Sequence, residues 1–533
     1  MKRILVALLA ALLALSCVSA ALAEEERDTF TVFVDVGPDV AIEGNKVIEW
    51  FEDLANVNLD FIVSTGSEML TLLLSTGDYP EIFLTGFSNN DIVYYGVESQ
   101  IFVPIDEYID EHMPNVSAYL DAHPTFASNI VAPDGHIYGV PQFPATMSHG
   151  WVGGKMWINT EWLDRLDLEM PTTTDELYDV LVAFRDRDPN GNGIADEIPL
   201  SGAIGTWDAE PEYSLMNSFV PTDRGSFIFV EDGVVKFSAT DDRYREGLAY
   251  IKKLYDEGLL DPACFTQDLN QLIQLGQNPE IEILGAYASG HVGMALDLTD
   301  IERSRMYNVL VTPRGPEGQA YYNYGNPENA SGTVFAVTDK CHDVARALEV
   351  IDLMYTEEVS VASEYGVPGI NWTEAAEGEI DMEGNQAKYK SVTTRVEQST
   401  TVRDNEFKPF CMNDEKRTKF AIITDDIYNP DSQVYELRLN QATMAYIDQL
   451  EPMETLPVIW ADPDDAEIHA QLQVSIVNEV KQATTRFITG DMDLETQWDA
   501  YVAGVENLGL EDYVAYYQKG YDDAMAKTAA AGE

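Results

Sequence analysis

Apolar residues in the first part of the chain alternate between runs typical of strands and spacings typical of helices. Residues 30–34 form a β-branched and aromatic run, which predicts a strand. Four apolar residues follow at helical spacing and predict one buried face: Val47, Ile48, Phe51 and Leu54. Residues 59–63 and 82–84 predict further strands on either side of a second helix at 68–75. Strands that alternate with helices predict a mostly parallel sheet with right-handed crossovers.

The middle and the end of the chain carry helical patterns. Thr173 and Glu176 have the spacing of a capping box, in which each side chain accepts a hydrogen bond from the other residue's backbone N–H. Apolar spacing then continues this predicted helix to residue 186. Residues 227–237 predict a hairpin, residues 344–355 an amphipathic helix, and the tail from about residue 465 a helical region.

The capped helix runs directly into a loop with the spacing of a calcium site. Oxygen-bearing side chains fall at positions 1, 3, 5, 9 and 10 of residues 188–197, and glycine falls at position 6. Ca²⁺ takes about six to eight oxygen ligands, including a backbone carbonyl from the seventh position of such a loop. The predicted ligands are Asp188, Asn190, Asn192, Ile194 through its carbonyl, Asp196 and Glu197.

This loop departs from an EF-hand, because its twelfth position is Pro199 rather than a bidentate glutamate. Asp196 and Glu197 would have to complete the ligand shell instead. The alternative is an Asn- and Gly-rich turn that binds no metal. A closed shell of protein ligands indicates a structural ion rather than a catalytic one, so calcium would support the fold.

The N-terminus has the pattern of a secretory signal peptide at residues 1–23. Lys2 and Arg3 precede the apolar run of residues 4–15, and the small residues of 21–23 precede Glu24. A rival interpretation makes Cys17 the lipidated N-terminus of a lipoprotein, but Ala14 stands where leucine is usual. Both interpretations predict an exported protein. The apolar run is too short for a membrane span.

Length and charge limit the classes of protein to consider. A chain of 533 residues exceeds the usual size of one core, so two lobes are expected. The net charge of -60 becomes -62 when removal of residues 1–23 takes away Lys2 and Arg3. Such a field repels nucleic acids and anionic lipids, so neither is an expected partner. The cysteines that remain, Cys264, Cys341 and Cys411, are too few and too odd for a disulfide framework.

The sequence carries no familiar catalytic motif. It lacks a nucleophile elbow, a His-Glu-x-x-His zinc site, a phosphate loop and a dinucleotide fingerprint. With 92 acidic residues, many carboxylate pairs arise by chance, so no glycosidase pair can be assigned. Tryptophan and tyrosine near the expected lobe crossings could stack on sugars or peptide side chains, with core packing as the alternative for each. These predicted ligand residues are Trp151, Trp207, Tyr322, Tyr324 and Trp372.

Several short segments occur in an order and spacing that together are specific. They are Ser75–Phe83, Met156–Trp162, Pro171–Leu177, the loop with its continuation at 188–202, Leu254–Pro262, Tyr365–Trp372, Phe487–Gly490 and Trp498–Tyr501. In these segments the chain resembles the extracellular solute-binding lipoproteins of oligosaccharide-type ABC importers, a group that includes alginate-binding periplasmic proteins. The poor lipoprotein motif at Cys17 is where the chain departs from that family.

The resemblance implies an α/β fold of the periplasmic-binding-protein-like type II. Two α/β lobes would be joined by three hinge crossings around a ligand cleft, with a helical C-terminal region. Lobe I is expected at 24–150 and about 293–355, and lobe II, with the calcium loop, at 151–292 and about 356–533. The resemblance also implies a structural Ca²⁺ on the six loop residues. It transfers no ligand-contact residue, because those vary with the ligand.

The implied function is that of the substrate-binding component of an ABC transporter rather than an enzyme. It would capture an extracellular solute, preferably an oligosaccharide, by closure of the lobes and deliver it to a membrane permease. A peptide or modified sugar stays open as the ligand, and a monomer is expected. The alternatives are a secreted calcium-dependent glycoside hydrolase and a sensor that presents its ligand to a receptor.

Overall fold

The structure is a computed structural model that describes residues 27–36, 40–64, 66–145, 148–325, 328–329, 331–392, 407–422, 426–429, 434–460 and 463–531. The predicted signal peptide and Cys17 lie outside these residues. Within them, no helix is both long enough and apolar enough to cross a bilayer.

The first lobe is built on the predicted parallel sheet. Its four strands lie in the order Ala336–Val337, Ile82–Leu84, Asp28–Val34 and Val57–Val63, and the last three are parallel. Helices Lys46–Ala55 and Ser67–Thr76 connect these parallel strands, as predicted. Asn45 begins the first of these helices by accepting hydrogen bonds from the N–H groups of Val47 and Ile48. Three of the four predicted apolar positions on that helix are buried, whereas Leu54 is exposed.

Further helices cover this sheet and close the core of the lobe. They are Asn89–Ile92 with the π-helical continuation Val93–Glu98, Asp106–His112, Pro114–Ala122, Pro124–Asn129, Val344–Met354 and Glu357–Tyr365. Phe30, Phe51, Phe335 and Phe410 lie in the main cluster of buried side chains. A small hairpin of Trp372–Glu374 and Tyr389–Ser391 lies beside it.

The second lobe contains a three-stranded antiparallel sheet. Strand Met156–Asn159 lies between Ala286–Ala288 and Tyr307–Leu310. The predicted hairpin is present as Ile228–Glu231 and Val234–Phe237. Helices surround these strands: Thr160–Leu166, Thr174–Asp186, Pro211–Met216, Asp242–Asp256, Leu269–Gly276 and Ile301–Met306.

The predicted helical C-terminal region packs on the second lobe. It consists of Val434–Gln449, Pro463–Thr489, Leu494–Asn507 and Leu510–Ala531. Phe487, Trp498 and Tyr513 share one buried cluster with residues of the second lobe's first half. The hydroxyl groups of Tyr244 and Thr484 form a buried hydrogen bond of 2.8 Å. The last helices are therefore part of the lobe rather than an appendage.

The two cores indicate where the chain passes from one lobe to the other. Along the chain, buried residues change from the clusters of one lobe to those of the other at three places. These lie between Phe143 and Val152, between Tyr322 and Phe335, and between Phe420 and Tyr435. These are the three crossings of the two-lobed fold. Val292, Tyr307 and Leu310 lie in buried clusters of the second lobe, whereas Val359, Phe407 and Met412 lie in the main cluster of the first. The exact limits of the lobes stay a prediction, for which we propose the crossings as limits.

Candidate functional site

Two adjoining depressions lie beside the crossing segments. The first is lined by residues that include Gly153, Asp208, Glu210, Arg224, Tyr322 and Asn323. The second is lined by residues that include Asp223, Asn323, Tyr324, Asn329 and Glu454. Because both include Asp223 and Asn323, they form one continuous groove, which we call the cleft.

Trp207 lies beside this cleft, and its indole ring packs against the backbone at Gly290. A Cβ atom at Gly290 would come within 2.5 Å of the indole ring, so only glycine leaves room for it. The Gly290 N–H also donates to the Trp207 carbonyl at 3.1 Å. The residue nevertheless remains 40% exposed, with the His149 ring 6.1 Å away. A large, fixed, partly exposed aromatic ring of this kind is suited to stacking on a ligand.

Three charged side chains line the cleft near Trp207, those of Asp208, Glu210 and Arg224. Arg224 pairs with Asp208 at 3.1 Å and with Glu210. Asp208 has a φ of +50°, a left-handed conformation that is uncommon for a residue other than glycine. Its carboxylate packs closely over Gly153, where a Cβ would lie 2.7 Å from the Asp208 Oδ2. The position of Asp208 is therefore fixed by its surroundings at some conformational cost, as is frequent at functional sites.

Burial shifts the pKa values of several groups around the cleft. Burial raises the pKa of Glu210, and the Arg224 guanidinium opposes that shift. Burial also raises the pKa of Glu212 to about 8, so this carboxyl is largely neutral at pH 7. Lys155 is 1% exposed, and burial lowers its pKa to about 7. Its ammonium group donates to the carbonyls of His149, at 2.7 Å, and Val152.

Trp151, Tyr322 and Tyr324 lie together where two crossings meet. The rings of Trp151 and Tyr324 are 6.0 Å apart and nearly perpendicular, and those of Tyr322 and Tyr324 are 6.3 Å apart. The Gly325 N–H donates to the Trp151 carbonyl at 2.8 Å, which joins the two crossings. Tyr322 is buried against Tyr446, so it mainly supports Tyr324.

Trp372 does not lie with the other four predicted ligand residues. It is 4% exposed in a small cluster of the first lobe with Val361, Ala362 and Phe420. Its indole N–H donates to the Gly366 carbonyl at 2.7 Å. These contacts favour the core-packing alternative for Trp372.

Sequence reasoning did not single out Asp208, Glu210 or Arg224. One signal was available, because two carboxylates directly follow an exposed tryptophan between Gly205 and Pro211. Among so many acidic residues that signal is weak. The sequence around Arg224 gives no such signal, because its pairing with Asp208 and Glu210 is seen only in the folded structure.

The predicted calcium loop is organised by its own side chains. The Asp188 carboxylate accepts from the N–H groups of Asn192, at 3.1 Å, and Gly193, at 3.0 Å. Asn192 Oδ1 accepts from the Ile194 N–H at 2.6 Å, and the Ile194 carbonyl accepts from the Asp196 N–H at 3.0 Å. The Asp196 carboxylate accepts from the side-chain amides of Asn190 and Asn192, each at 2.9 Å. These hydrogen bonds within the loop fix its conformation.

Glu197 shows whether this donor set fits a cation. Its Oε1 atom is buried without a hydrogen-bond partner in the described structure. Burial raises the pKa of Glu197, and the charges of Asp196 and Asp188 raise it further. A bound cation would relieve both the burial and the repulsion, and hard oxygen ligands are those that Ca²⁺ prefers. The residues present therefore fit the predicted ion.

A different cluster shows the spacing of a metal site but already contains a cation. Among the described residues, Glu364, Cys411 and Asp414 have ligand atoms within 4.8 Å of one another. The Lys416 ammonium lies among them, 2.9 Å from the Cys411 sulfur and 3.1 Å from each carboxylate. This cluster is therefore a buried ion-pair network. The carboxylates of the calcium loop lie farther apart, so amide and carbonyl oxygens would have to contribute there.

The calcium loop is attached to its lobe on both sides. The predicted capping box of Thr173 and Glu176 is present at the start of the preceding helix. Arg165 donates to the Pro189 carbonyl at 3.0 Å, and the Ile198 N–H donates to the Ile283 carbonyl at 2.7 Å. None of residues 188–197 lines either depression of the cleft. The loop thus joins a helix end to an edge of the second lobe.

Comparison with known proteins extends over nearly the whole chain, although no protein-family model matches it. The fructooligosaccharide ABC transporter substrate-binding protein FusA of Streptococcus pneumoniae serotype 4 is 28% identical over 480 residues, covering 89% of this chain and 85% of that protein. The solved structure of a FusA EF-hand mutant in complex with fructo-nystose is similar with a TM-score of 0.74 and 26% identity, covering 94% of this chain and 100% of the other. The polygalacturonan/rhamnogalacturonan-binding protein YtcQ of Bacillus subtilis is 23% identical over 502 residues, covering 90% of this chain and 89% of that protein.

Proposed function

We propose that this chain, which belongs to the family 1 extracellular solute-binding proteins of ABC importers, captures an oligosaccharide in the cleft and delivers it to a membrane permease. The observation that carries the proposal is the partly exposed indole of Trp207, fixed on Gly290 beside the cleft. The full-length similarity to FusA supports it, because that protein is a substrate-binding protein for fructooligosaccharides.

The cleft offers the two kinds of contact that a sugar needs. The apolar C–H face of a sugar ring can stack on Trp207 and on the Trp151–Tyr324 pair. The carboxylates of Asp208 and Glu210 can accept hydrogen bonds from sugar hydroxyl groups, and Arg224 can donate to ring or hydroxyl oxygens. Trp372 is not part of this proposed site.

Capture would work by closure of the two lobes. A ligand bound on one lobe stabilises the closed form by the additional contacts it makes with the other. The closed complex is then the form that the permease recognises. Because the relatives are substrate-binding proteins, binding without turnover is the activity we propose, in place of the glycoside hydrolase alternative.

Calcium, export and oligomeric state form the finer part of the proposal. We assign a structural Ca²⁺ to Asp188, Asn190, Asn192, Asp196 and Glu197, with the carbonyl of Ile194. The unpartnered Glu197 oxygen supports this assignment, as does the similarity to FusA, a protein whose EF-hand mutant has been solved. Residues 1–23 would direct export of the chain as a signal peptide, or Cys17 would anchor it to lipid. The protein would act as a monomer.

Calorimetric titration with nystose, maltotetraose and lacto-N-tetraose tests the function. At least one of these glycans should bind and be recovered intact by mass spectrometry. Trp207→Ala should weaken that binding by about tenfold or more, since the loss of about 1.4 kcal/mol of stacking is a factor of ten in Kd. Tyr94→Ala, which removes an aromatic side chain 56% exposed on the first lobe, is the matched control and should bind as the wild type does.

Shortened glycans after incubation would identify a hydrolase and contradict the proposal. Binding by a folded Trp207→Ala variant with unchanged affinity would remove the observation that carries it.

A further inference from the structure

We propose that the cleft selects uncharged oligosaccharides and rejects glycans that carry carboxylate groups. This inference rests on the proposed function and adds the chemical class of the ligand. The relatives do not decide it, since FusA is named for fructooligosaccharides and YtcQ for polygalacturonan and rhamnogalacturonan. The charge class of the ligand is therefore inferred from the charged residues of this chain's own cleft.

The described residues that line the cleft carry an excess of negative charge. Four of them are acidic, and one, Arg224, is basic. The acidic residues are Asp208, Glu210, Asp223 and Glu454. At physiological salt the Debye length is about 8 Å, so the charges in the cleft wall act on a bound ligand more strongly than the distant charges of the molecule do.

Arg224 can still donate hydrogen bonds to a ligand, but two carboxylates already offset its positive charge. Its guanidinium already pairs with Asp208, at 3.1 Å, and with Glu210, so the three groups together remain negative when both carboxylates are ionised. An anionic ligand would have to compete with both of these partners. The same arrangement suits a neutral ligand, because the outer oxygens of the carboxylates can still accept from hydroxyl groups.

Two further basic residues lie near the cleft without lining it: Lys481, whose charge acts on Glu210, and Lys155, which points into the protein. The Lys155 ammonium group donates to the carbonyls of His149 and Val152, and the side chain is 1% exposed. A ligand carboxylate in the cleft therefore has no direct access to it. Its N–H groups instead donate to backbone carbonyls next to the first crossing.

The remaining two carboxylates are held in place by the fold. Asp223 accepts from the backbone N–H groups of Gly225, at 3.2 Å, and Ser226, at 3.0 Å. Glu454 accepts from the Tyr521 hydroxyl at 3.0 Å. Neither side chain can swing out of the cleft without breaking these contacts. The wall therefore offers fixed hydrogen-bond acceptors, which bind donors such as hydroxyl groups and repel further carboxylates.

The test compares neutral and anionic glycans in about 0.15 M salt, where long-range repulsion is screened. Nystose, maltotetraose and lacto-N-tetraose form the neutral set, and trigalacturonate and sialylated lacto-N-tetraose the anionic set. We expect binding within the neutral set and at least tenfold weaker binding of every anionic member, measured by calorimetry.

The double variant Asp208→Asn with Glu210→Gln identifies the cause. It removes two charges and frees Arg224, so the affinity for trigalacturonate should rise at least tenfold relative to that for the best neutral glycan. Glu511→Gln with Asp512→Asn removes the same charge from the exposed start of the helix Leu510–Ala531 and should leave the ratio unchanged. Circular dichroism establishes that each variant is folded.

The outcomes separate the two proposals. An anionic glycan that binds as tightly as the neutral set, or a folded double variant in which the ratio does not rise, overturns the inference while leaving capture of oligosaccharides intact. If no glycan of either set binds the wild type, the proposed function itself is wrong.

Discussion

Lys155 is a residue whose environment opposes its charge. Burial lowers its pKa from the usual 10.5 to about 7, and the negative charge of Asp208 only partly counteracts this. In the unfolded chain the amine holds its proton up to about pH 10.4. Between these values the unfolded state binds more protons than the folded state, so stability contributed by this residue rises with pH. The cost of burying the ammonium is fully present below pH 7.

Lys155→Met should remove that pH dependence. The difference in the free energy of unfolding between wild type and variant should shift in favour of the wild type by about 2 kcal/mol from pH 7 to pH 9, because one pKa unit corresponds to about 1.4 kcal/mol. Urea unfolding at the two pH values measures it. Lys46→Met, at an exposed lysine, should leave the difference constant. Parallel pH profiles for the wild type and Lys155→Met would contradict the buried, depressed amine.

Individual residues of the cleft could be predicted from the sequence in part. Trp207 and Trp372 both look like ligand aromatics in the sequence, yet one is 40% and the other 4% exposed. What separates them is long-range packing: Gly290, which supports the Trp207 ring, lies far along the chain. Arg224 was missed for the same reason, since its position beside Asp208 is a tertiary contact.

At the scale of elements, local sequence patterns predicted more of the structure than they did at the scale of single residues. The alternating pattern in the first lobe gave the correct strands and helices, because each carries its own cap or periodicity within a few residues. The capping box of Thr173 and Glu176 is formed as predicted. All six proposed calcium ligands lie within ten residues, which is why the loop could be recognised before the fold was known.

Removal of calcium should destabilise the second lobe. At a hundredfold excess over Kd, the ion should contribute about 3 kcal/mol, so a chelator should lower the melting temperature of the wild type. Asp188→Ala should abolish the sensitivity to chelator, whereas Asp256→Ala, at an exposed residue paired with Lys252, should keep it. Differential scanning calorimetry measures both. Unfolding that a chelator leaves unchanged in wild type and Asp188→Ala alike would contradict a structural ion.

Glycan affinity should survive the same treatment. The segment between the calcium loop and Trp207 is held by separate backbone bridges, from Ile198 to Leu284 and from Leu200 to Leu260. Trp207 therefore keeps its position even where the loop loosens. A parallel loss of affinity and stability would show that the loop positions the cleft.

At the scale of the whole molecule, two lobes and three crossings were expected from length and family resemblance. The limits of the lobes stay a prediction, and two tertiary contacts bear on them. Strand Tyr307–Leu310 joins Met156–Asn159 in the second lobe, and Phe407 and Phe410 pack in the first. Local periodicity carries no information on which lobe a segment joins, so these two assignments required the tertiary structure.

Binding should make the whole molecule more compact. If the ligand contacts both lobes, saturation with the tightest glycan of the neutral set should lower the radius of gyration measured by small-angle X-ray scattering. Trp207→Ala at the same glycan concentration should remain at the value of the free protein. Tight binding with an unchanged radius of gyration would contradict closure.

The packing of the last helices has a consequence for biogenesis. The core of the second lobe joins residues near Tyr244 to residues near Thr484 and Tyr513, which leave the ribosome much later. If the chain is exported as proposed, the second lobe lacks a complete hydrophobic core until the segment around Tyr513 has crossed the membrane. During that interval the apolar surface of the lobe is exposed to other chains and to proteases. The segment around Tyr513 thus sets the moment at which the core of the second lobe can be completed and protected.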